Sequence, residues 1–466
     1  MNDTRRVFLR LVLILALFGV GFGGLDRLAL AKGSSHAKKP KKSKKVIPTA
    51  TPLPGETYQI QFDQMQLLLS EPRVVARAEK GEHCSYPELN KFAGGTVMLT
   101  YALGTELARV PMFNNTSAAA YLSTDQGKTF AAAGYKLEGA IRAGMHEPRQ
   151  TLPDGRLVGP SSGFMLTNQA HQARQRFATE WQTFSDAGKH LSVEPDGTSI
   201  EGLPREVRTE NTGKGYAGTI EWTGGIVALG GKQWVSACAV RFQGDKRFST
   251  VALGSEDQGK HWRYLGTVAG PDAIPSAEEG FHAPSLIRLA SGDLMCVGQV
   301  GSFNQRLGRA YSADGGKSWS PVDQLPAAGV APCLLQLKDG TTLLSTGRPG
   351  LTLWLAIDPR AQKWQSVDLK QFHNGVAPLL DHIIADPLKA GGLQQTTGHT
   401  ALVETTENRL LLAYDRLPVD DPGDPPTGER IFMVELTVRR AGEAERSHEP
   451  SAPASGKAQK KSKKRY

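Results

Sequence analysis

Apolar residues recur along the chain as pairs of short runs, each pair introduced by a proline and divided by a Gly-containing turn. The clearest pairs lie in Pro87–Leu99, Pro148–Val158, Pro284–Cys296 and Pro332–Leu344. Short apolar runs bounded by turn residues are typical of β-strands, and two runs joined by an x-Gly turn predict an antiparallel hairpin. The pattern therefore predicts an all-β chain built from repeated hairpins.

A second repeat has the form Ser-x-Asp-x-Gly-x-x-aromatic and occurs at residues 123–130, 255–262 and 312–319. The aspartates Asp125, Asp257 and Asp314 can accept hydrogen bonds from backbone N–H groups of a turn, and the glycine permits a positive φ. The aromatic residue can fold back onto apolar neighbours. Three copies in register indicate a repeat architecture in which each copy closes a hairpin. A degraded copy follows at Asp358…Trp364.

This motif resembles the Asp-box, or BNR repeat, of the sialidase (neuraminidase) superfamily, in which each box closes the outer hairpin of a propeller blade. The resemblance implies a six-bladed β-propeller of four-stranded antiparallel blades, in which Asp125, Asp257 and Asp314 are structural. We place the blades at about 82–130, 131–200, 215–268, 279–325, 329–370 and 396–438, with a strand within 58–69 completing the last one. The insertion at 171–181, which is rich in Gln and Ala, could form a short helix.

The charge is unevenly distributed along the 466 residues. The chain has a formal net charge of +9, but residues 1–31, 32–45 and 439–466 together carry +15, which leaves −6 for the remainder. A mildly acidic body argues against nucleic acid as a partner. The basic tails are typical of solvated, disordered ends, and weak contact with an anionic envelope surface is the alternative.

The ends of the chain predict export. Residues 1–31 combine Arg5 and Arg6, an apolar run and a small-x-small cleavage site, and resemble a twin-arginine signal peptide. Residues 32–54 form a Lys/Pro-rich disordered linker, 55–440 the propeller and 441–466 a basic disordered tail. We therefore expect an exported protein, periplasmic or secreted, and a monomer.

The four cysteines, Cys84, Cys238, Cys296 and Cys333, lie far apart in apolar runs without CxxC or metal-ligand spacing. We interpret them as small buried hydrophobic residues, and a disulfide remains open. His83, His146, His282 and His399 also lack local metal-ligand spacing. We expect neither a cofactor nor a metal.

In a propeller the innermost strands converge on the axis, so polar residues at one end of these strands line a single pocket. The resemblance gives Arg348 the role of a sialidase arginine that binds the substrate carboxylate. The segment that carries the sialidase tyrosine nucleophile reads Gly398-His399-Thr400 here, and Met145-His146-Glu147-Pro148 resembles the Asn-Glu-Pro segment. The predicted catalytic residues are Glu147, His399 and Arg348. The predicted substrate-binding residues are His83, Tyr86, His146, His282, Gln299 and Tyr414.

The resemblance implies an exported protein that acts on glycans, either a glycoside hydrolase of exo-sialidase type or a divergent relative. Most of the sialidase site positions other than Arg348 hold different residues. Two alternatives therefore stay open: a glycan-binding propeller without catalysis, and a polysaccharide lyase or glycosidase that depends on histidine. In each case the expected partner is carbohydrate.

Overall fold

A computed structural model describes residues 50–53, 57–78, 82–105, 117–138, 148–161, 163–168, 175–213, 215–300, 306–348, 350–383, 397–416 and 429–440. All of them belong to the compact unit Ile47–Tyr466. The predicted signal peptide 1–31, the predicted tail 441–466, and both His146 and Glu147 lie outside the described residues. The predicted linker 32–54 does so except for 50–53, and residues 51–53 form a paired strand.

Within these ranges the chain forms 31 strands and one α-helix, α1 (Leu369–Val376). The first eight strands are β1 (Thr51–Leu53), β2 (Thr57–Gln61), β3 (Met65–Ser70), β4 (Arg73–Arg77), β5 (Glu82–Lys91), β6 (Val97–Thr105), β7 (Ser117–Ser123) and β8 (Ala131–Glu138). The next twelve are β9 (Gln150–Thr151), β10 (Leu157–Pro160), β11 (Met165–Leu166), β12 (Arg176–Ser185), β13 (His190–Glu201), β14 (Thr209–Asn211), β15 (Tyr216–Gly218), β16 (Ile220–Glu221), β17 (Val227–Gly230), β18 (Gln233–Val240), β19 (Ser249–Ser255) and β20 (His261–Ala269). The last eleven are β21 (Phe281–Arg288), β22 (Leu294–Val300), β23 (Arg306–Ser312), β24 (Asp323–Ala328), β25 (Cys333–Gln336), β26 (Thr342–Thr346), β27 (Thr352–Ala356), β28 (Gln365–Asp368), β29 (Thr400–Thr406), β30 (Arg409–Arg416) and β31 (Arg430–Arg440).

Three sheets are separate, four-stranded and antiparallel, in the orders β5-β6-β7-β8, β21-β22-β23-β24 and β25-β26-β27-β28. A seven-stranded sheet contains β29-β30-β31-β3, extended outward by β2 and β1, with β4 also paired to β31. In a twelve-stranded sheet, the antiparallel groups β9-β10-β12-β13 and β18-β19-β20 are joined by a parallel pair, β13 with β20. The all-β prediction is confirmed, and the repeating unit is the four-stranded antiparallel sheet.

Some predicted boundaries are wrong. Residues 131–138 form the fourth strand of the first sheet and do not open the next one. The predicted strand within 58–69 is a hairpin, β2 and β3, of which β3 pairs with β31. Residues 176–181 of the suggested helix belong to strand β12.

The Ser-x-Asp motifs close hairpins in the same way each time, between β7 and β8, β19 and β20, and β23 and β24. In the first, the Ser123 hydroxyl donates to Asp125 at 2.7 Å and accepts from the N–H of Gly127 at 2.7 Å. The N–H of Thr129 then donates to Asp125 at 2.9 Å. Asp257 and Asp314 repeat these bonds with the corresponding residues of their own turns. Each of the three aspartates accepts hydrogen bonds within its own turn, which is the physical basis of the structural role predicted for it.

The repeating prolines mark a distortion at the start of first strands. The residue before the proline has a positive φ of 58° at Tyr86, 46° at Ala283 and 44° at Ala331. The pairing register shifts between Ser85 and Glu88 in β5, and between His282 and Ser285 in β21. Such β-bulges re-aim side chains and are frequent beside functional sites. Positive φ at a residue other than glycine costs about 1–3 kcal/mol, so these positions are candidates for function.

The apolar core is divided among clusters that lie between neighbouring sheets. One cluster joins β29–β31 to the β5–β8 sheet through residues such as Met433 and Leu99, and another joins β5–β8 to β9–β13 through Phe92 and Phe184. Four more join β9–β13 to β18–β20, β18–β20 to β21–β24, β21–β24 to β25–β28, and β25–β28 to β29–β31. The sheets therefore pack face to face in succession, and the last packs against the first.

Candidate functional site

The predicted residues that the structure describes lie at one end of their sheets, where the first strand begins and the antiparallel second strand ends. Tyr86 lies near the start of β5, and His399 directly precedes β29. Arg348 follows β26, the second strand of its sheet. Because neighbouring sheets pack together, these three side chains come from three sheets to one region.

Asp415, near the end of β30, organises this region. Its Oδ1 accepts the backbone N–H groups of Gly398 at 2.6 Å and His399 at 2.9 Å, and its Oδ2 accepts that of Tyr86 at 2.9 Å. Asp415 is fully buried. Burial penalises the charged form of Asp415 and raises its pKa to about 6, and the negative charge of Glu429 also acts to raise it. The three N–H groups stabilise the charged form and act in the opposite direction.

Tyr86 and His399 contact each other across the sheet boundary. Their ring centroids are 4.4 Å apart, and the planes meet edge to face at 86°. Both side chains are buried, with 8% and 4% of their surface exposed. Burial raises the pKa of the Tyr86 phenol, and the neighbouring Asp415 raises it further. The phenol is therefore neutral and able to donate a hydrogen bond at physiological pH.

Arg348 is held against the same segment by its backbone. Its N–H donates to the carbonyl of Thr397 at 2.8 Å, and a Cβ at the preceding Gly347 would meet the carbonyl oxygens of Thr397 and Gly398. Only glycine allows this close approach. Arg348 is 7% exposed; desolvation lowers its pKa, whereas Tyr86 and Asp415 act to raise it. An arginine remains charged under such shifts. We call Tyr86, Arg348, His399 and Asp415 the Asp415 cluster.

A second group surrounds His282 at the start of β21. Its Nδ1 lies 3.6 Å from Glu221 and its Nε2 lies 3.1 Å from Glu279, while the ring stacks on Phe248 with centroids 5.7 Å apart. Burial alone would lower the pKa of His282, but the two carboxylates outweigh it and raise the pKa to about 9. At neutral pH His282 is therefore protonated and positively charged. We call Glu221, Phe248, Glu279 and His282 the His282 cluster.

The remaining predicted residues have different surroundings. Gln299 is buried and lies opposite His282 in the register of β21 and β22. His83 is paired with Gly104 in the register of β5 and β6. Tyr414 lies in the core, where its ring stacks on Phe432 and its hydroxyl lies 2.8 Å from Nδ1 of His373. Tyr414 is 1% exposed and packs in the core, and its contact with substrate stays a prediction.

Asp415, Glu221 and Glu279 lie outside the predicted set of site residues, although Asp415 directly follows the predicted Tyr414. Side chains alternate between the two faces of a strand, so Asp415 points away from the face that Tyr414 occupies. The available signal was a carboxylate at the end of the apolar run Leu410–Tyr414, since a buried acid in a strand needs partners. For Glu221 and Glu279 no local pattern distinguishes them from surface acids.

Three of the cysteines, Cys84, Cys238 and Cys296, are fully buried, as interpreted, whereas Cys333 is only partly buried, and none of the four is part of a disulfide. In the described part of the chain, no group of three His, Cys, Asp or Glu side chains could hold a metal ion. None of the helices in the described ranges has the length and apolar character needed to cross a membrane.

Comparison with known proteins gives similarity in structure only. No protein-family model matches the chain, and no curated protein matches its sequence. A protein of unknown function from Dyadobacter fermentans is similar with a TM-score of 0.58 at 18% identity, over 80% of this chain and 99% of that one. The α-L-arabinanase of Penicillium chrysogenum, complexed with arabinobiose, is similar with a TM-score of 0.51 at 13% identity, over 78% and 98%. A Trypanosoma rangeli sialidase in complex with sialic acid gives 0.43 at 13% identity, over 90% and 60%.

Proposed function

We propose that the protein is an exported β-propeller of six four-stranded blades that acts on glycans at the Asp415 and His282 clusters. The six core clusters, each between two successive sheets, support this arrangement. The Ser-x-Asp turns support it too, since their glycines pack on the preceding sheet: Gly127 on Leu411, and Gly316 near Val235. In this view the turns are Asp-boxes, and the ancestry is that of the sialidase superfamily.

The observation that carries the proposal is the meeting of Tyr86, Arg348 and His399, from three sheets, around one buried carboxylate. Pockets with a few convergent polar groups are the usual ligand sites of such folds. The His282 cluster occupies the corresponding end of its own sheet, and a closed ring of blades would put both clusters around one opening. A guanidinium matches a carboxylate bidentately, so Arg348 suits a sugar that carries a carboxylate.

The activity that fits this site is hydrolysis of a terminal glycosidic bond, of exo-sialidase type or by a divergent relative. In this reaction a carboxylic acid protonates the leaving oxygen as the glycosidic C–O bond breaks. A water oxygen bonds to the anomeric carbon and gives its proton to a base. We assign Glu147 as the acid, His399 as the second catalytic group and Arg348 as the sugar-binding cation. Neutral arabinan-type sugars are also candidate substrates, because the Penicillium neighbour binds arabinobiose.

A non-catalytic glycan receptor is the second candidate. It is favoured by His399 standing in the sialidase nucleophile segment and packing edge to face on the buried Tyr86. A receptor binds its sugar without turnover, whereas a hydrolase releases the leaving group.

The test is a panel of 4-methylumbelliferyl glycosides of sialic acid, glucuronic acid and α-L-arabinofuranose. It is run beside calorimetric binding of N-acetylneuraminic acid, glucuronic acid and arabinobiose. We expect turnover of one glycoside, and a loss of about 100-fold or more in kcat/KM in Arg348→Ala. Arg263→Ala is the matched control, because the Arg263 side chain is 76% exposed and pairs with Glu201 on the outer strands. Binding without turnover supports the receptor. If the panel shows no binding and no turnover, the proposed function is rejected.

A further inference from the structure

We infer that Asp415 is a positioning residue, which holds Tyr86 and His399 in place for glycan binding through their backbone N–H groups. The inference rests on the proposed function. Asp415 is completely buried and so cannot itself touch a glycan. It acts through the two residues whose rings form the edge-to-face pair.

The carboxylate joins two sheets. Oδ2 binds the N–H of Tyr86 in β5, whereas Oδ1 binds those of Gly398 and His399 in the segment that leads into β29. Asp415 belongs to β30, the neighbour of β29, and its own N–H donates to the carbonyl of His399 at 3.3 Å. One side chain therefore sets the spacing between two loops that come from different blades.

The backbone of Tyr86 needs such an acceptor. Its φ of 58° is unusual for a residue with a side chain, and Pro87 follows directly, within the bulge of β5. A buried N–H without an acceptor is destabilising, because it gives up its hydrogen bond to water without a replacement. The bond to Asp415 offsets this cost, which keeps Tyr86 in a conformation that would otherwise relax and move its ring away from His399.

The charged form of Asp415 depends on its surroundings. Glu429 disfavours the ionised carboxylate, while the cation of Arg348 lies near enough to interact with it. Tyr86 and His399 bind it through their N–H groups, and the buried Arg416 follows it in the chain. Since the pKa of Asp415 is raised to about 6, protonation weakens the three bonds in mildly acidic solution.

The first measurement uses the full-length protein labelled with [15N]histidine. The chain has eleven histidines, and the backbone amide of His399 is identified by its absence in His399→Gln. An amide proton bonded to a carboxylate shifts when that carboxylate is protonated. We expect the His399 amide to move with a midpoint near pH 6 in the wild type and to lose this step in Asp415→Asn.

Asp339→Asn is the control. Asp339 also accepts a backbone N–H, that of Thr341 at 2.8 Å, but in the β25–β26 turn, at the opposite end of its sheet. We expect the control to lose stability while the His399 amide keeps its step. A wild-type amide that shows no step near pH 6 overturns the inference, and this result is readable even if Asp415→Asn fails to fold.

The second measurement is calorimetric binding of N-acetylneuraminic acid, glucuronic acid and arabinobiose between pH 5 and 8. We expect Asp415→Asn to bind at least tenfold more weakly at pH 7.5, and to lose the decrease in affinity that the wild type shows below about pH 6. Unchanged affinity and pH profile in a folded Asp415→Asn overturn the positioning role. Failure of the proposed function has a different result: no sugar binds the wild type, although its His399 amide still titrates.

Discussion

The ring of Tyr86 meets the imidazole of His399 edge to face at 4.4 Å, although the two residues come from different sheets. If this pair binds a glycan, the phenol hydroxyl is its polar group. We expect Tyr86→Phe to keep the packing and to weaken sugar binding about tenfold, since a hydrogen bond contributes about 0.5–1.5 kcal/mol. The measurement is calorimetry beside thermal unfolding. Equal affinity in a folded Tyr86→Phe would show that the hydroxyl does not contact the sugar.

His282 supplies a prediction about electrostatics. Because Glu221 and Glu279 raise its pKa to about 9, Glu221→Gln should bring the pKa down towards the ordinary histidine value. Histidine ring NMR over pH 5–10 measures this shift, with Glu210→Gln as a control on an exposed acid at the sheet edge.

The sign of the His282 effect on stability follows from its raised pKa. The favourable interaction is fully present below about pH 6.5, the value in the unfolded chain, and is lost as the pH rises through about 9. We therefore expect Glu221→Gln to destabilise the protein more at pH 6 than at pH 9.5. An equal loss in free energy of unfolding at both values would contradict the coupling.

His373 predicts the opposite dependence on pH. Its ring is buried between the Tyr414 hydroxyl and the carbonyl of Asp381, and desolvation lowers its pKa to about 3. Between about pH 6.5 and 3, His373 is protonated in the unfolded chain but neutral in the folded state. The free energy of unfolding therefore decreases as the pH decreases through this range. Urea unfolding at several pH values measures this loss, which should be about 1.4 kcal/mol for each pH unit. His373→Gln should remove this part of the acid sensitivity, and a variant with unchanged slope would refute the assignment.

Gly259 tests the packing of the Ser-x-Asp turns. It has a φ of +91°, and a Cβ there would lie 2.5 Å from the Trp181 ring of the neighbouring strand group. We expect Gly259→Ala to destabilise the protein by about 2–4 kcal/mol, from strain and overpacking together. Gly292→Ala is the matched control, because Gly292 has the same φ of +91° and nothing lies within 4 Å of its Cβ position. Similar unfolding midpoints for the two variants would mean that the turn does not pack tightly on its neighbour.

The regular parts of the fold could be predicted from the sequence because they are local. Hairpins follow from apolar runs and turn residues, and the turn around Asp314 is closed by bonds to residues within four positions. The boundary at Ala131 was missed because the motif marks the turn before the last strand of a sheet, not the end of the sheet. The outward position of β1 and β2 likewise depends on long-range pairing.

The candidate site was harder to predict because its contacts join distant parts of the chain. Arg348 and His399 were found through a family resemblance, and the backbone bond from Arg348 to Thr397 places them in the same region. Asp415 is not among the predicted site residues although it binds both Tyr86 and His399, because the sequence does not show which distant N–H groups a carboxylate at a strand end will bind. Its neighbour Tyr414 was predicted to bind substrate, and strand alternation turns that ring into the core.

The most direct test of the account is the position of a bound sugar. Crystals of the full-length protein, soaked with whichever of N-acetylneuraminic acid, glucuronic acid or arabinobiose binds most tightly, would give a difference density map. The account predicts sugar density in contact with the Arg348 guanidinium and the His399 ring, at the end of the sheets where β5 and β29 begin. Density seated only on the outer strands, with Arg348 and His399 untouched, would contradict it.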